Sequence, residues 1–225
     1  MPMSSKKAVV LLSGGLDSAT CLWWARAKGY TPIALSVAYG QRHSKEIVSA
    51  RKLARLARAE FHVLRLDLPW LRCSSLMDAG KALPNIPLRK IGKGGIPSTY
   101  VPGRNAVFLA LAASLADAAG AEAVVIGANA LDYSGYPDCR PKFLSAFQKA
   151  VSAGTKQGSQ GKGLRVLTPL LHLDKAAIVR LAGRLGVPLQ WTWSCYKGSC
   201  RPCGACDSCK LRAKGFEQAG LLDPA

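Results

Sequence analysis

Ser13-Gly14-Gly15-Leu16-Asp17-Ser18 is the stretch on which the reading of this chain turns. It follows a continuous apolar run, Ala8 to Leu12, of the kind expected in a parallel strand covered on both faces. A helical pattern from Asp17 to Ala27 comes after it. The two glycines let the backbone turn tightly and come close to an anion without a clashing Cβ. The serines add hydroxyl donors, and the following helix offers unpaired N–H groups at the positive end of its dipole. The motif lacks the Gly-Lys-Ser/Thr of a Walker A loop and the spacing of a Gly-x-Gly-x-x-Gly dinucleotide turn. It reads as a phosphate loop of a different kind.

Outward from the loop, strands and helices alternate. Thr31–Tyr39, Phe61–Leu66, Ala123–Gly127 and Arg165–Leu167 read as strands, and Ser44–Ala59, Asn105–Ala119, Pro141–Ala153 and Lys175–Leu185 as helices. In the second helix Ile47, Ala50, Leu53, Ala54 and Ala57 repeat at helical spacing, with Arg51, Arg55 and Arg58 on the opposite, solvated face. Asn105–Ala119 is apolar nearly all round and is expected between layers. Lys175–Leu185 is the last clear helix. The alternation predicts an α/β fold, a parallel sheet in a three-layer α/β/α sandwich, with ligands beyond the carboxyl ends of the strands. Pro69–Pro102 reads as a long loop punctuated by Pro and Gly, and Gly154–Gly163 as a mobile connection. His62 and His172 read as structural.

With 225 residues, 49% of them hydrophobic, the chain can bury a core as one domain, residues 1–190, with a small appendix, 191–225. No apolar run reaches the roughly 20 residues that cross a bilayer, so no membrane partner is expected. The apolar stretch after Lys6 and Lys7 ends in Ser-Gly-Gly and reads as a buried strand rather than a signal peptide, which points to a cytoplasmic protein. A formal net charge of +18 attracts nucleotide phosphates, carboxylates or RNA. No RNA-binding signature accompanies it, so nucleic acid is not the expected partner.

Of the eight cysteines, Cys195, Cys200, Cys203, Cys206 and Cys209 crowd together while Cys21, Cys73 and Cys139 are scattered. This distribution suits a metal site better than a disulfide scaffold. Cys203, Cys206 and Cys209 form C-x-x-C-x-x-C. With Cys195 they are the expected ligands of a closed structural Zn²⁺ site, leaving Cys200 as a bystander. An iron–sulfur cluster is the alternative.

The Ser13–Ser18 motif resembles the PP-loop of enzymes that split ATP between the α and β phosphates. Together with Gln41-Arg42-His43, Val101-Pro102-Gly103-Arg104-Asn105, Ser134-Gly135-Tyr136-Pro137-Asp138-Cys139-Arg140 and the cysteine-rich tail through Leu211-Arg212-Ala213-Lys214-Gly215, it gives a resemblance over nearly the whole chain to the 7-cyano-7-deazaguanine synthases of the queuosine pathway. Two departures stand out. Leu16 occupies a position where that family often has Gln, and Cys200 is an additional thiol.

The resemblance implies an adenine nucleotide alpha hydrolase-like domain and a carbon–nitrogen ligase. Its substrates are 7-carboxy-7-deazaguanine, ammonia and ATP with Mg²⁺, and its assembly is a homodimer. ATP is expected along Leu12, Ser13, Gly14, Gly15, Leu16, Asp17, Ser18, Ala19, Thr20, Cys21 and Leu22, with Arg42, His43 and Gly127. Within that set, Ser13, Gly14, Gly15 and Ser18 hold pyrophosphate, and Asp17 places the loop or a magnesium ion. Asp17, Ser18, Arg104 and Lys175 are the expected catalytic residues. Gln41, Arg104, Asn105, Ser134, Tyr136, Pro137, Asp138 and Arg140 are expected to bind the deazaguanine acid. Tyr136 and Pro137 would wall its ring, and Asp138 would accept from its N–H edge. His43 and Lys175 are equally readable as helix-start residues. A relative that stops at the amide, one that joins the acid to another amine, and a tRNA-binding PP-loop protein are the competing functions.

Overall fold

A computed structural model describes residues 6–78, 80–91, 93–129 and 135–225. Five parallel strands, β1 (Lys7–Leu11), β2 (Thr31–Ala38), β3 (Glu60–Arg65), β4 (Ala123–Val125) and β5 (Arg165–Leu167), form one sheet in the order β3-β2-β1-β4-β5. In β1 Val10 lies opposite Ala34 of β2 and Val125 of β4. Its alternate side chains feed two cores. Ala8 and Val10 pack with α1 (Leu16–Ala27) and α2 (Lys45–Leu56), while Val9 packs toward α3 (Arg104–Ala119). All three are fully buried, which is why the run is uninterrupted by polar residues.

The remaining helices are α4 (Pro141–Gly154), the short α5 (Lys156–Ser159), α6 (Lys175–Arg184) and α7 (Asp207–Ala219). Helices α1, α2 and α6 cover one face through residues such as Leu22, Leu53 and Ile178, and α3 and α4 cover the other through Leu109 and Leu144. The chain leaves β1 toward β2 on one side and finds β4 on the other. A crevice therefore opens at the carboxyl end of β1, where parallel sheets bind ligands. No helix among the described residues is long and apolar enough to cross a membrane.

Three expectations change. Helix α3 is not buried between layers: Leu109, Ala112, Ala113 and Ala116 face the sheet, whereas Val107 and Ala110 are exposed. Its alanines read as apolar but carry too little surface to demand cover. The segment 154–163 is built rather than loose. Thr155 caps α5 by accepting from the Gly158 amide, and the Asp117 carboxylate accepts from the amides of Lys156 and Gln157. Finally, α7 continues the chain as helix well past residue 185. It is capped by Cys206 ahead of it and by Gly220, in the left-handed region, after it, and inserts Phe216 into the first core. The long segment after β3 is also anchored, with Leu71 and Val101 joining Val37 and Tyr39 in a third apolar cluster.

Candidate active site and metal centre

The loop after β1 is held by its own serines. The Ser13 amide donates to Ser18 Oγ at 3.2 Å, the two hydroxyls lie 3.0 Å apart, and Ser18 Oγ donates to the Gly15 carbonyl at 3.1 Å. Gly14 has φ +87°, and a Cβ there would stand 2.2 Å from the Glu46 carbonyl oxygen, so only glycine lets α2 come this close. Gly127, just past β4, serves the same end, because a Cβ on it would press to 3.3 Å from the Ser18 amide nitrogen.

A cavity of about 310 Å³ opens in front of the loop. Leu12, Ser13, Gly15, Leu16, Asp17, Ser18 and Gly127 line it, together with Gln41, Arg42, His43, Arg104, Asn105, Tyr136 and Lys175. Lys175 Nζ sits 2.8 and 2.7 Å from the two Asp17 oxygens, both side chains about one-fifth exposed, and Asn129 donates to the same carboxylate at 2.8 Å. Lys175 opens α6, whose cap is the Asp174 carboxylate accepting from the Ala177 amide. Gly215 of α7 lies against its stem: a Cβ there would come within 2.5 Å of Lys175 Cγ.

On the opposite wall Arg104 donates to the Tyr39 hydroxyl at 3.1 Å and lies over its ring. Burial works against its charge, but the Tyr39 hydroxyl and the nearby Tyr136 and Glu46 outweigh that and raise its pKa further. Arg42 ties the following loop to the site by donating to the carbonyls of Asp78 and Lys81, while its Nε is buried without a partner. Gln41 turns back to accept from the Tyr39 amide. His43 Nε2 donates to the Cys195 carbonyl at 3.1 Å, leaving Nδ1 as a buried, unpaired acceptor, and burial lowers the imidazole pKa.

Several expected residues are elsewhere. Ala19, Thr20, Cys21 and Leu22 are fully buried in the second turn of α1 and face the core, so none reaches the cavity. The Thr20 hydroxyl donates to the Leu16 carbonyl, and burial pushes the Cys21 thiol pKa well up. Asp138 is buried at the start of α3. Its two oxygens accept from the amide and side chain of Asn105, at 2.8 and 3.3 Å, and so cap α3. Arg140 is exposed, and neither it nor Pro137 lines the cavity. Ser134 falls outside the described residues. The sequence reading passed over Glu46, which lines the cavity from the first turn of α2, and Asn129, which orients Asp17. Position just past a strand end was the only signal for Asn129.

Below the cavity the four expected sulfurs converge. The Sγ atoms of Cys195, Cys203, Cys206 and Cys209 all lie within 4.8 Å of one another, with Cys203 and Cys209 at 4.0 Å. Tetrahedral ligation with bonds of about 2.3 Å places sulfurs about 3.8 Å apart, so the group fits a single ion. Cys200 is exposed and stands outside the group. Burial raises the Cys203 thiol, but the amides of Cys206 and Ala205 and the thiols of Cys195 and Cys206 bring it down to about 6, toward the thiolate a metal needs.

A phosphate loop at the switch point of a five-stranded parallel sheet, with a four-cysteine knuckle beside its cavity, defines a PP-loop domain of the ATP-pyrophosphatase type carrying a tail that can hold a metal ion. The profile of the family described as queuosine biosynthesis protein QueC matches residues 7–220, and the chain belongs to that family. It is 52% identical over 224 residues to a 7-cyano-7-deazaguanine synthase of Anaeromyxobacter sp., covering 98% of this chain and 95% of that one. With the synthase of the same name from Thermoplasma acidophilum it shares 49% over 222 residues, 99% and 92% of the two chains. Among solved structures, a 4-thiouridine synthetase–RNA complex with bound ATP has a TM-score of 0.54 at 20% identity, across 96% of this chain and 50% of that one. NMN synthetase from Francisella tularensis gives 0.50 at 14%, across 97% and 88%. These two share the fold.

Proposed function

We propose that the chain is an ATP-dependent carbon–nitrogen ligase that converts 7-carboxy-7-deazaguanine and ammonia into 7-cyano-7-deazaguanine. The observation that carries this reading is the convergence on one cavity of the Ser13–Ser18 loop, the Asp17–Lys175 pair and Arg104. A carboxylate is a poor acyl donor until it gains a leaving group. In the proposed path its oxygen attacks the α-phosphorus of ATP and the Pα–O–Pβ bond breaks. Pyrophosphate leaves toward the amides at the start of α1 and the hydroxyls of Ser13 and Ser18. Ammonia then attacks the acyl carbon, loses a proton and expels AMP to give the amide. A second adenylation, on the amide oxygen, lets the N–H protons and AMP depart and leaves the nitrile.

The role proposed for Arg104 is to pair with the substrate carboxylate, and that for Lys175, oriented by Asp17, is to meet charge developing at the α-phosphate. Tyr136 offers a face for the ring. The part proposed for Asp17 is orientation: Lys175 and Asn129 occupy its oxygens, so Mg²⁺ is expected to ride on the triphosphate. For residues 191–225, a tail held onto the 1–190 domain, the proposed ion is Zn²⁺, bound by Cys195, Cys203, Cys206 and Cys209. A four-iron cluster would attach each thiolate to a different iron and a two-iron cluster would split them into two pairs, and either would hold some of the sulfurs farther apart. Zinc in a closed four-thiolate site supplies structure and has no open position for water.

The test is product analysis. Incubation with ATP, Mg²⁺, ammonia and the acid should yield the cyano compound by mass, with AMP and pyrophosphate. ADP and orthophosphate as the nucleotide products, or an amide that is never consumed, would overturn the reading.

A further inference from the structure

Among the described residues, two acidic side chains line the cavity, Asp17 and Glu46. Asp17 is committed to Lys175 and Asn129. Asp138 is buried under the start of α3 with Asn105 on both oxygens. Glu46 alone is uncommitted: among the described residues no group donates a hydrogen bond to its carboxylate. Its backbone is fixed, because its carbonyl packs directly over Gly14 of the phosphate loop.

The surroundings of Glu46 suit a flat heterocycle. Tyr39 at the end of β2 and Phe108 of α3 meet edge to face with centroids 5.3 Å apart, and Tyr136 lines the same cavity, its hydroxyl 2.9 Å from Thr99 Oγ1. One cation, Arg104, stands close enough to act on Glu46 electrostatically. An aromatic-walled space with one guanidinium and one free carboxylate matches a planar acid that carries its carboxylate at one end and N–H donors at the other. The 7-deazaguanine ring is such a molecule, with a ring N1–H beside an exocyclic amine. A carboxylate is an acceptor-only group of the right shape to take both.

We propose that Glu46 reads the donor edge of the deazaguanine ring, accepting from N1–H and the exocyclic amine, and so sets the preference for the 2-amino acid over an analogue lacking the amine. This rests on the substrate reading above. The free carboxyl has the expected signature of an acceptor without its donor. Burial pushes its pKa up to about 7 despite the pull of Arg104. The titratable groups that face it are Tyr39 and Arg104. Asp17, Lys175, Arg42, His43 and Tyr136 share the cavity.

The experiment compares 7-carboxy-7-deazaguanine with its des-amino analogue, 7-carboxy-7-deazahypoxanthine, in wild-type, Glu46→Gln and Glu46→Ala proteins. Wild type should favour the amino acid by about 100-fold or more in kcat/KM, since a site built to hydrogen-bond a group rejects the analogue lacking it. In Glu46→Ala the preference should collapse to within a few-fold, mostly through KM, with ATP binding and cooperative melting retained. In wild type the preference should also narrow as pH falls below about 7. The inference is overturned by a preference that survives in Glu46→Ala. It is equally overturned by a fall in kcat of the same size for both acids at unchanged KM, the pattern of a proton acceptor. If the variants do not fold, a wild-type preference that does not change between pH 6 and 8 overturns it. Wild-type protein that turns over neither acid would instead defeat the substrate reading itself.

Discussion

Gly14→Ala is the substitution whose cost can be worked most directly from the geometry. Two terms add. The residue holds φ +87°, a left-handed conformation that costs an L side chain about 1–2 kcal/mol. The new methyl would also stand 2.2 Å from the Glu46 carbonyl oxygen, 2.9 Å from the Ala50 amide nitrogen and 3.0 Å from Ser49 Cβ. Two of these three are backbone atoms of α2, so relief requires the helix to retreat by about 1 Å, an overpacking cost of about 1–3 kcal/mol. Gly29 supplies the control. It has φ +81° and nothing within 4 Å of its missing Cβ, so Gly29→Ala incurs only the conformational term.

In urea, with a slope of about 2 kcal/mol/M, Gly29→Ala should lower the midpoint by about 0.5–1 M and Gly14→Ala by about 1–2.5 M. A phosphate loop displaced by 1 Å should also lose about 100-fold in ATP–pyrophosphate exchange, which Gly29→Ala should leave within twofold. Equal midpoints for the two variants together with normal exchange in Gly14→Ala would refute the close approach of α2 to the loop.

Three further outcomes follow from the same geometry. Lys175→Met leaves the Asp17 carboxylate with only Asn129 and should abolish nucleotide-dependent turnover while destabilising the fold by about 1–3 kcal/mol; adding Asp17→Asn should restore stability in a melt but not turnover. Cys203→Ser should lose bound metal in elemental analysis of the purified protein, whereas Cys200→Ser should retain one equivalent. For Glu46 the folded pKa is raised from 4.5 to about 7, so the unfolded chain ionises first: the stability present below pH 4.5 is lost as pH rises toward 7. Glu46→Gln should remove that loss, a difference of about 1–2 kcal/mol in unfolding free energy between pH 5 and pH 8 once partial solvation is allowed for, or about 0.5–1 M in urea midpoint.

The sheet and the loop were legible because their signals are local. An apolar run, two glycines and a serine followed by a helix carry their own geometry, and cysteines at C-x-x-C spacing aim sulfurs at a common point whatever surrounds them. Helix α7 was not legible: it begins inside the cysteine knuckle and includes Gly215, a poor helix former that is needed because Lys175 lies against it. The Gly220 stop signal was present in the sequence but had no apolar stripe before it strong enough to weigh. The placement of the site residues was less legible, and for one physical reason. Asp138 and Glu46 are both acids near loop ends, and only the packing of α2 against Gly14 and of Asn105 against Asp138 decides which one is free. Arg140 stands outside for the same reason: a motif fixes which residues are near in sequence, not which side of a turn they face.

The cysteine cluster is tied to the walls of the cavity by direct contacts. The Cys195 carbonyl accepts from the Trp193 indole at 2.9 Å and from His43 at 3.1 Å, while the Trp193 amide donates to the Gly14 carbonyl at 2.9 Å. Gly198, inside the knuckle, lies so close to the His43 ring that a Cβ would come within 2.3 Å of it. On the other side Cys209 belongs to the first turn of α7, the helix that sets Gly215 on the stem of Lys175. Arg212 binds the same helix to the segment ahead of the knuckle, donating to Thr192 Oγ1 at 2.7 Å, and to the chain's end through Asp223 at 2.7 Å. Fixing four sulfurs on one ion would therefore fix two contacts at once: the backbone of the Ser13–Ser18 loop through Trp193 and Lys175 through α7. A polar segment that cannot bury enough apolar surface to hold itself would become, once its thiolates are tied to one ion, a brace for both the Ser13–Ser18 loop and Lys175.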